Sequence, residues 1–122
     1  MTASILTVDD SPSLRMAVRA ALTGAGYSVA EAADGIEGLS KAAATRFDLI
    51  ITDLNMPNMD GLTMIRELRR SPGQAGVPIV FLTTESDDSV KMEAKSAGAT
   101  GWLVKPFNAD QLVRVAKKVL GR

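Results

Sequence analysis

The 122 residues include no cysteine and no histidine. The first absence excludes a disulfide framework and thiolate metal ligation, and the second removes imidazole as ligand or base, so any metal site must be built from oxygen. Aromatic residues are scarce at 4%, and Trp102 is the only tryptophan. Net charge is missing too: fourteen basic residues offset fourteen acidic ones. That balance removes the general electrostatic argument for binding nucleic acid or an anionic membrane, and neither is expected as a partner. Nowhere does an apolar run approach the roughly 18 residues that span a bilayer, and residues 1–10 lack the charged flank and apolar stretch of a secretory signal. A cytoplasmic location is the default expectation. With 46% apolar and 23% charged residues the composition is that of an ordinary soluble protein, and the length suits a single domain over 1–122.

What the chain does contain is alternation. Short β-branched, apolar segments at 5–8, 27–30, 49–52, 79–83 and 101–104 read as five strands. Between them lie amphipathic patterns of period near 3.6. In the first, Ser11 is an N-cap and Pro12 occupies the first helical position; Leu14, Val18, Ala21 and Leu22 share one face, and Gly24 and Gly26 end it. A second helix is predicted over 34–45 with Ile36, Leu39 and Ala43 inward, and a third over 61–70 with Leu62, Ile65 and Leu68 inward. Ser86 or Asp87 caps a fourth, weaker pattern reaching Ala97, with Val90, Ala94 and Ala97 on its apolar side. Asn108 or Asp110 opens a fifth that carries Leu112, Val115, Ala116, Val119 and Leu120. Five strand–helix repeats predict right-handed crossovers and a doubly wound α/β domain, its parallel sheet covered on both faces. No linker or repeat interrupts the pattern, and nothing within 1–122 is left over for a separate output domain.

In open parallel sheets ligands sit beyond the carboxyl ends of the strands. Here the first strand runs into Asp9 and Asp10 and the third into Asp53, so three carboxylates converge on one edge. Unpaired, they repel and raise one another's pKa values, and a shared hard divalent cation relieves the repulsion. Magnesium suits one or two carboxylates plus phosphate oxygens and waters, which points to Asp10, Asp53 and the Asn55 backbone carbonyl; manganese is the other cation such a site accepts. The fourth strand ends at Thr83 and the fifth runs into Lys105, adding a hydroxyl and an ammonium group to the same edge. A carboxylate nucleophile at Asp53, a metal, and donors from Lys105 and Thr83 are the parts that phosphoryl transfer needs.

The strings VDDS at 8–11, DLNMPNMDG at 53–61, LTTE at 82–85 and GWLVKPF at 101–107 resemble the response-regulator receiver family over essentially the whole chain. Stand-alone CheY-like chemotaxis regulators are the most similar kind. The resemblance implies a flavodoxin-like (βα)5 fold with strand order 2-1-3-4-5 and a cis bond between Lys105 and Pro106. It implies two-component signalling in which Asp53 accepts phosphate from a sensor histidine kinase of the CheA kind. Asp10, Asp53 and the Asn55 carbonyl then hold magnesium, Asp9 acts through the metal's waters, and Lys105 and Thr83 contact the phosphoryl group. Thr83 and Trp102 form the switch, and the face of the fourth helix, fifth strand and fifth helix is read by a partner such as a flagellar motor switch protein or a phosphatase. Asn55 and Glu85 tune dephosphorylation, which the match to chemotaxis regulators makes fast. Trp102 stands where Tyr or Phe is commoner, so the inward state of the switch is expected to be less populated or differently shaped.

Such a protein is a monomeric phosphoacceptor taking part in its own phosphorylation and dephosphorylation, not an enzyme acting on other substrates. Within the family, a phosphorelay intermediate or a cell-cycle regulator acting on kinases is the alternative to chemotaxis. An Asp-nucleophile phosphatase would need a second Asp where Asn55 stands, and an unphosphorylated interaction module would not need Asp10, Asp53, Thr83 and Lys105 together. Of the basic helix residues Lys91, Lys95, Arg114, Lys117 and Lys118, most read as solvated faces and a few as recognition. Met56, Met59 and Met64 read mainly as packing or loop-shaping residues.

Overall fold

A computed structural model describes residues 2–73, 75–84 and 88–121. Among the described residues ten elements alternate: β1 (Ser4–Val8), α1 (Pro12–Gly24), β2 (Ser28–Ala32), α2 (Gly35–Ala44), β3 (Leu49–Asp53), α3 (Gly61–Arg70), β4 (Ile79–Thr83), α4 (Asp88–Ala97), β5 (Gly101–Val104) and α5 (Ala109–Leu120). The strands form one sheet in the order β2-β1-β3-β4-β5, every neighbouring pair parallel. This is the doubly wound, flavodoxin-like (βα)5 arrangement implied by the alternation and the family resemblance. No helix among the described residues is long and apolar enough to cross a membrane.

Because successive strand side chains point to opposite faces, the central strands feed two cores at once. Leu6, Val8 and Ile50 pack with Ala42, Met64, Ile65 and Leu68 on the α2/α3 side. Ile5, Leu49, Ile51, Val80 and Leu82 pack with Val18, Leu22, Leu112 and Ala116 on the α1/α5 side. A smaller cluster of Leu54, Phe81 and Ala94 lies under α4. Each fully buried Leu or Ile contributes roughly 1.5–3 kcal/mol, so β3 and β4, buried at every position, are the most firmly held strands. The edge strands β2 and β5 are only partly covered.

The helix signals behave as the sequence predicts at most ends. The Ser11 hydroxyl accepts from Leu14 N with Pro12 at the first position, and Asn108 and Gln111 form a reciprocal capping box on α5. Capping by Ser86 or Asp87 lies outside the described residues. Two expectations are corrected. The second strand covers Ser28–Ala32 and not 27–30, because it pairs with β1 to its end, with Thr7 opposite Glu31 and Val8 opposite Ala32. On α2 the inward residues are Gly35, Gly38 and Ala42, with Leu39 partly buried; Ile36 is 54% exposed and Ala43 is exposed. The large apolar side chains suggested one face, but the helix approaches the sheet and α3 on its small residues. A Cβ on Gly38 would lie 2.8 Å from Met64 Sδ and 3.2 Å from Val8 Cγ2.

Gly61 begins α3 behind the end of β3, where its N–H donates to Leu54 O at 2.9 Å. A Cβ there would lie 2.2 Å from Asp53 O and 2.9 Å from Leu54 Cα, both backbone atoms that cannot rotate away. Gly61→Ala is therefore expected to lower the denaturant midpoint by the equivalent of about 2–3 kcal/mol. A change below about 0.5 kcal/mol would show that the β3–α3 junction is more pliant than this contact implies.

Candidate functional site

At the carboxyl edge of the sheet the register sets the strand ends side by side: Val8 pairs with Thr52, Asp53 with Leu82 and Thr83 with Val104. The residues just past or at those ends are Asp9, Asp10, Asp53, Thr83 and Lys105. One carboxylate oxygen from each of Asp9, Asp10 and Asp53 falls within a group whose members lie within 4.8 Å of one another. Asp9 and Asp53 are buried, and Asp10 is exposed at the mouth. Asp53 is the last residue of β3.

Local backbone geometry holds one oxygen of each buried carboxylate. Asp53 Oδ1 accepts from Leu54 N at 2.8 Å, and Asp9 Oδ1 accepts from Ser11 N at 2.9 Å. The second oxygens face Lys105, whose Nζ lies 3.2 Å from Asp53 Oδ2 and 3.7 Å from Asp9 Oδ2. The Lys105–Pro106 peptide bond is cis, and Lys105 N donates to Thr83 O at 2.8 Å, fixing the start of the β5–α5 loop against β4. Thr83 itself is 4% exposed. Asn55 lies exposed in the loop after β3, and Glu85 falls outside the described residues.

One ammonium group does not neutralise three carboxylates. Burial pushes the Asp9 carboxyl above its ordinary value; the Ser11 N–H opposes this, the negative charge of Asp53 adds to it, Lys105 opposes it, and Asp10 adds a little more. Asp9 Oδ2 is buried without a hydrogen-bond partner. A buried anionic oxygen left in this state, beside two further carboxylates, matches the all-oxygen donor set of a hard divalent cation. Asp9, Asp10 and Asp53 thus fit a magnesium-type ion.

Sequence reasoning missed the supports around this cluster. The Arg15 guanidinium, on the first turns of α1, donates through Nη1 to Asp9 O and through Nε to Glu31 Oε1 at 3.2 Å. Arg19 Nη1 lies 2.9 Å from Glu31 Oε2. These hydrogen bonds hold Glu31, that to Arg19 foremost, below the usual carboxylate range. The signal was present in Glu31, but placing it beyond the end of β2 hid its position on the same sheet edge. On the other side Asn58, at φ 67°, donates through Nδ2 to Asp34 Oδ2 at 2.8 Å. Asp34 also caps α2 by accepting from Glu37 N at 2.9 Å, and this backbone hydrogen bond is the main reason its carboxyl lies below the ordinary value. The loop following Asp53 is thereby tied to α2.

Since burial and like charge outweigh Lys105 at Asp9, ionising it opposes folding when no metal is present. The contribution of this group to stability is most favourable below the ordinary value of 3.8 and is lost as pH rises through the raised folded value. Asp9→Asn keeps an acceptor for Ser11 N and removes the charge. In EDTA at neutral pH it is expected to stabilise the protein by on the order of 1 kcal/mol and to remove that pH-dependent loss. Thermal denaturation across pH checks this, and a lower midpoint for the variant would mean that attraction to Lys105 prevails.

Comparison with known proteins agrees with this geometry. The response regulator receiver domain family matches residues 5–117. The structure of the chemotaxis response regulator CheY4 of Vibrio cholerae is 47% identical, covers 98% of this chain and 99% of its own, and superposes with a TM-score of 0.94. The receiver domain of the sensor histidine kinase PA1611 from Pseudomonas aeruginosa, solved with a magnesium ion coordinated in its active-site cleft, is 32% identical over 100% of both chains with a TM-score of 0.92. Among curated relatives, the DNA-binding dual master transcriptional regulator RpaA of Synechocystis is 36% identical over 118 residues, 97% of this chain and 49% of its own. The chain spans about half the length, or less, of the curated relatives it matches. It belongs to the response regulator receiver domain family of two-component signalling.

Proposed function

We propose that this chain is a CheY-like phosphoacceptor that takes a phosphoryl group from the phosphohistidine of a CheA-like sensor kinase onto Asp53 and passes the signal through the face formed by α4, β5 and α5. The observation that carries the reading is the convergence of Asp53, Asp9 and Lys105, with Lys105 Nζ 3.2 Å from Asp53 Oδ2. An Asp53 oxygen forms a P–O bond as the P–N bond of the donor breaks, and the departing imidazole takes up a proton from solvent. Leu54 N–H holds Asp53 Oδ1, leaving Oδ2 to attack. Lys105, already beside that oxygen, supplies positive charge to the phosphoryl oxygens, and the Thr83 hydroxyl supplies a donor. Asp10, Asp53 and the Asn55 carbonyl would hold magnesium, with Asp9 acting through its waters. When bound, the ion supplies a hard positive charge shared between carboxylates and phosphoryl oxygens.

In this reading the Thr83 side chain turns toward the phosphoryl group and Trp102 changes rotamer, altering what the α4-β5-α5 face presents. Asn55 and Glu85 set the rate at which water removes the phosphoryl group. Similarity to CheY4 supports control of chemotaxis from the cytoplasm, with a flagellar motor switch protein or a phosphatase as partner. Similarity to RpaA favours a second use of the same chemistry, in which the receiver acts on an output other than the motor.

Acetyl phosphate with magnesium, followed by intact mass and Trp102 fluorescence, tests the reading. One phosphoryl group is expected to add in magnesium, none in EDTA, and none to Asp53→Asn. Lys105→Ala is expected to slow the addition about a hundredfold, the scale for losing one charge-stabilising donor. Addition to Asp53→Asn at the wild-type rate would place the acceptor elsewhere.

A further inference from the structure

We propose that Lys91 and Lys95 are positioning residues that hold the indole of Trp102 out against α4 and so set the resting position of the switch. The inference rests on the reading above only in calling Trp102 the switch. Four residues apart on α4, the two lysines lie on one stripe of the helix. Their ammonium nitrogens stand over the Trp102 ring, Lys91 Nζ 4.9 Å and Lys95 Nζ 5.7 Å from its centroid. Both distances are inside the roughly 6 Å within which the electron-rich face of an indole attracts a cation, and tryptophan is the best aromatic partner for this contact.

Among the described residues, neither lysine takes part in an ion pair with a carboxylate. Like charges at this spacing repel, and a shared indole face offsets that repulsion. The indole also rests on the core. Phe81, fully buried, lies opposite Trp102 in the β4–β5 register, with ring centroids 6.2 Å apart and planes tilted by 34°. Trp102 is 37% exposed, with two cations over it and the Phe81 ring beside it. An inward rotation must give up both cation contacts, whereas the lysine heads lose nothing to water by staying. Each contact is of the size that shifts an equilibrium about two- to fivefold.

Trp102, as the only tryptophan, reports its own position in the intact chain. The test compares wild type, Lys91→Gln/Lys95→Gln and Lys91→Arg/Lys95→Arg, with circular dichroism confirming that each is folded. In the unphosphorylated protein the glutamine pair is expected to blue-shift Trp102 emission and reduce its quenching by acrylamide. Because an inward indole and an occupied phosphoryl site favour one another, the same variant should bind beryllium fluoride with magnesium about two- to tenfold more tightly. The arginine pair, which keeps cations able to stack on the ring, should match wild type in both readouts. Unchanged or increased quenching in the glutamine pair overturns the proposal, and so does an arginine pair that behaves like the glutamine pair. Quenching is read without any phosphoryl group, so it decides the clamp by itself. A wild-type protein that takes up neither beryllium fluoride nor a phosphoryl group overturns the phosphoacceptor reading instead.

Discussion

Confinement of the Asp9, Asp10 and Asp53 carboxylates, one oxygen of each lying within 4.8 Å of the others, with Asp9 and Asp53 buried, is the constraint that organises the carboxyl edge of the sheet. Each nearby device answers part of it. The N–H groups of Ser11 and Leu54 take one oxygen each, and Lys105 faces the other two. Arg15, held by Glu31, binds the carbonyl of Asp9 and not its carboxylate. It therefore steadies the β1–α1 loop without neutralising the cluster. What remains is an excess of negative charge and one buried oxygen of the cluster with no hydrogen bond, a donor set whose chemistry fits a hard divalent cation.

A fold that tolerates such an excess must hold the carboxylates together by means other than their own attraction. The parallel sheet does this by bringing all strands out at one edge, and the burial of β3 and β4 on both faces prevents the strand ends from separating. Gly61 completes the arrangement, since only a residue without a side chain fits against Asp53 O. Packing and charge thus oppose one another here, and packing, summed over two cores, prevails.

Much of this was legible in the sequence, for identifiable reasons. The five strands and the cap signals at Ser11 and Asn108 depend on local pattern, and acidic residues at strand ends converge in any parallel sheet. What could not be read locally depended on close approach or on neighbours in space. The buried face of α2 was misjudged because Ile36 and Ala43 suggested an apolar side, whereas the approach to Val8 and Met64 requires Gly38. The tie between Asn58 and Asp34 joins residues 24 apart through a left-handed backbone position. Helix pattern alone could not sort Lys91 and Lys95 between solvated and recognition roles, because their nearness to Trp102 depends on how α4 sits against β5.

The switch proposed at Thr83 and Trp102 is compatible with the same mechanics. Thr83 and Phe81 point to one face of β4, being two residues apart, and their register partners on β5 are Val104 and Trp102. A change at the carboxyl edge cannot be absorbed by β3 or β4, because a close-packed strand cannot shift without opening a void or overfilling its neighbours. β5 is different: its side chains alternate between partly covered and exposed, with Trp102 37% and Val104 39% exposed. In the proposed switch a change at the carboxyl edge would therefore be expressed at the edge strand, where rearrangement costs least. There it would meet an aromatic ring with Lys91 and Lys95 of α4 over its face, so the proposed response would depend on that helix as well as on the acidic edge.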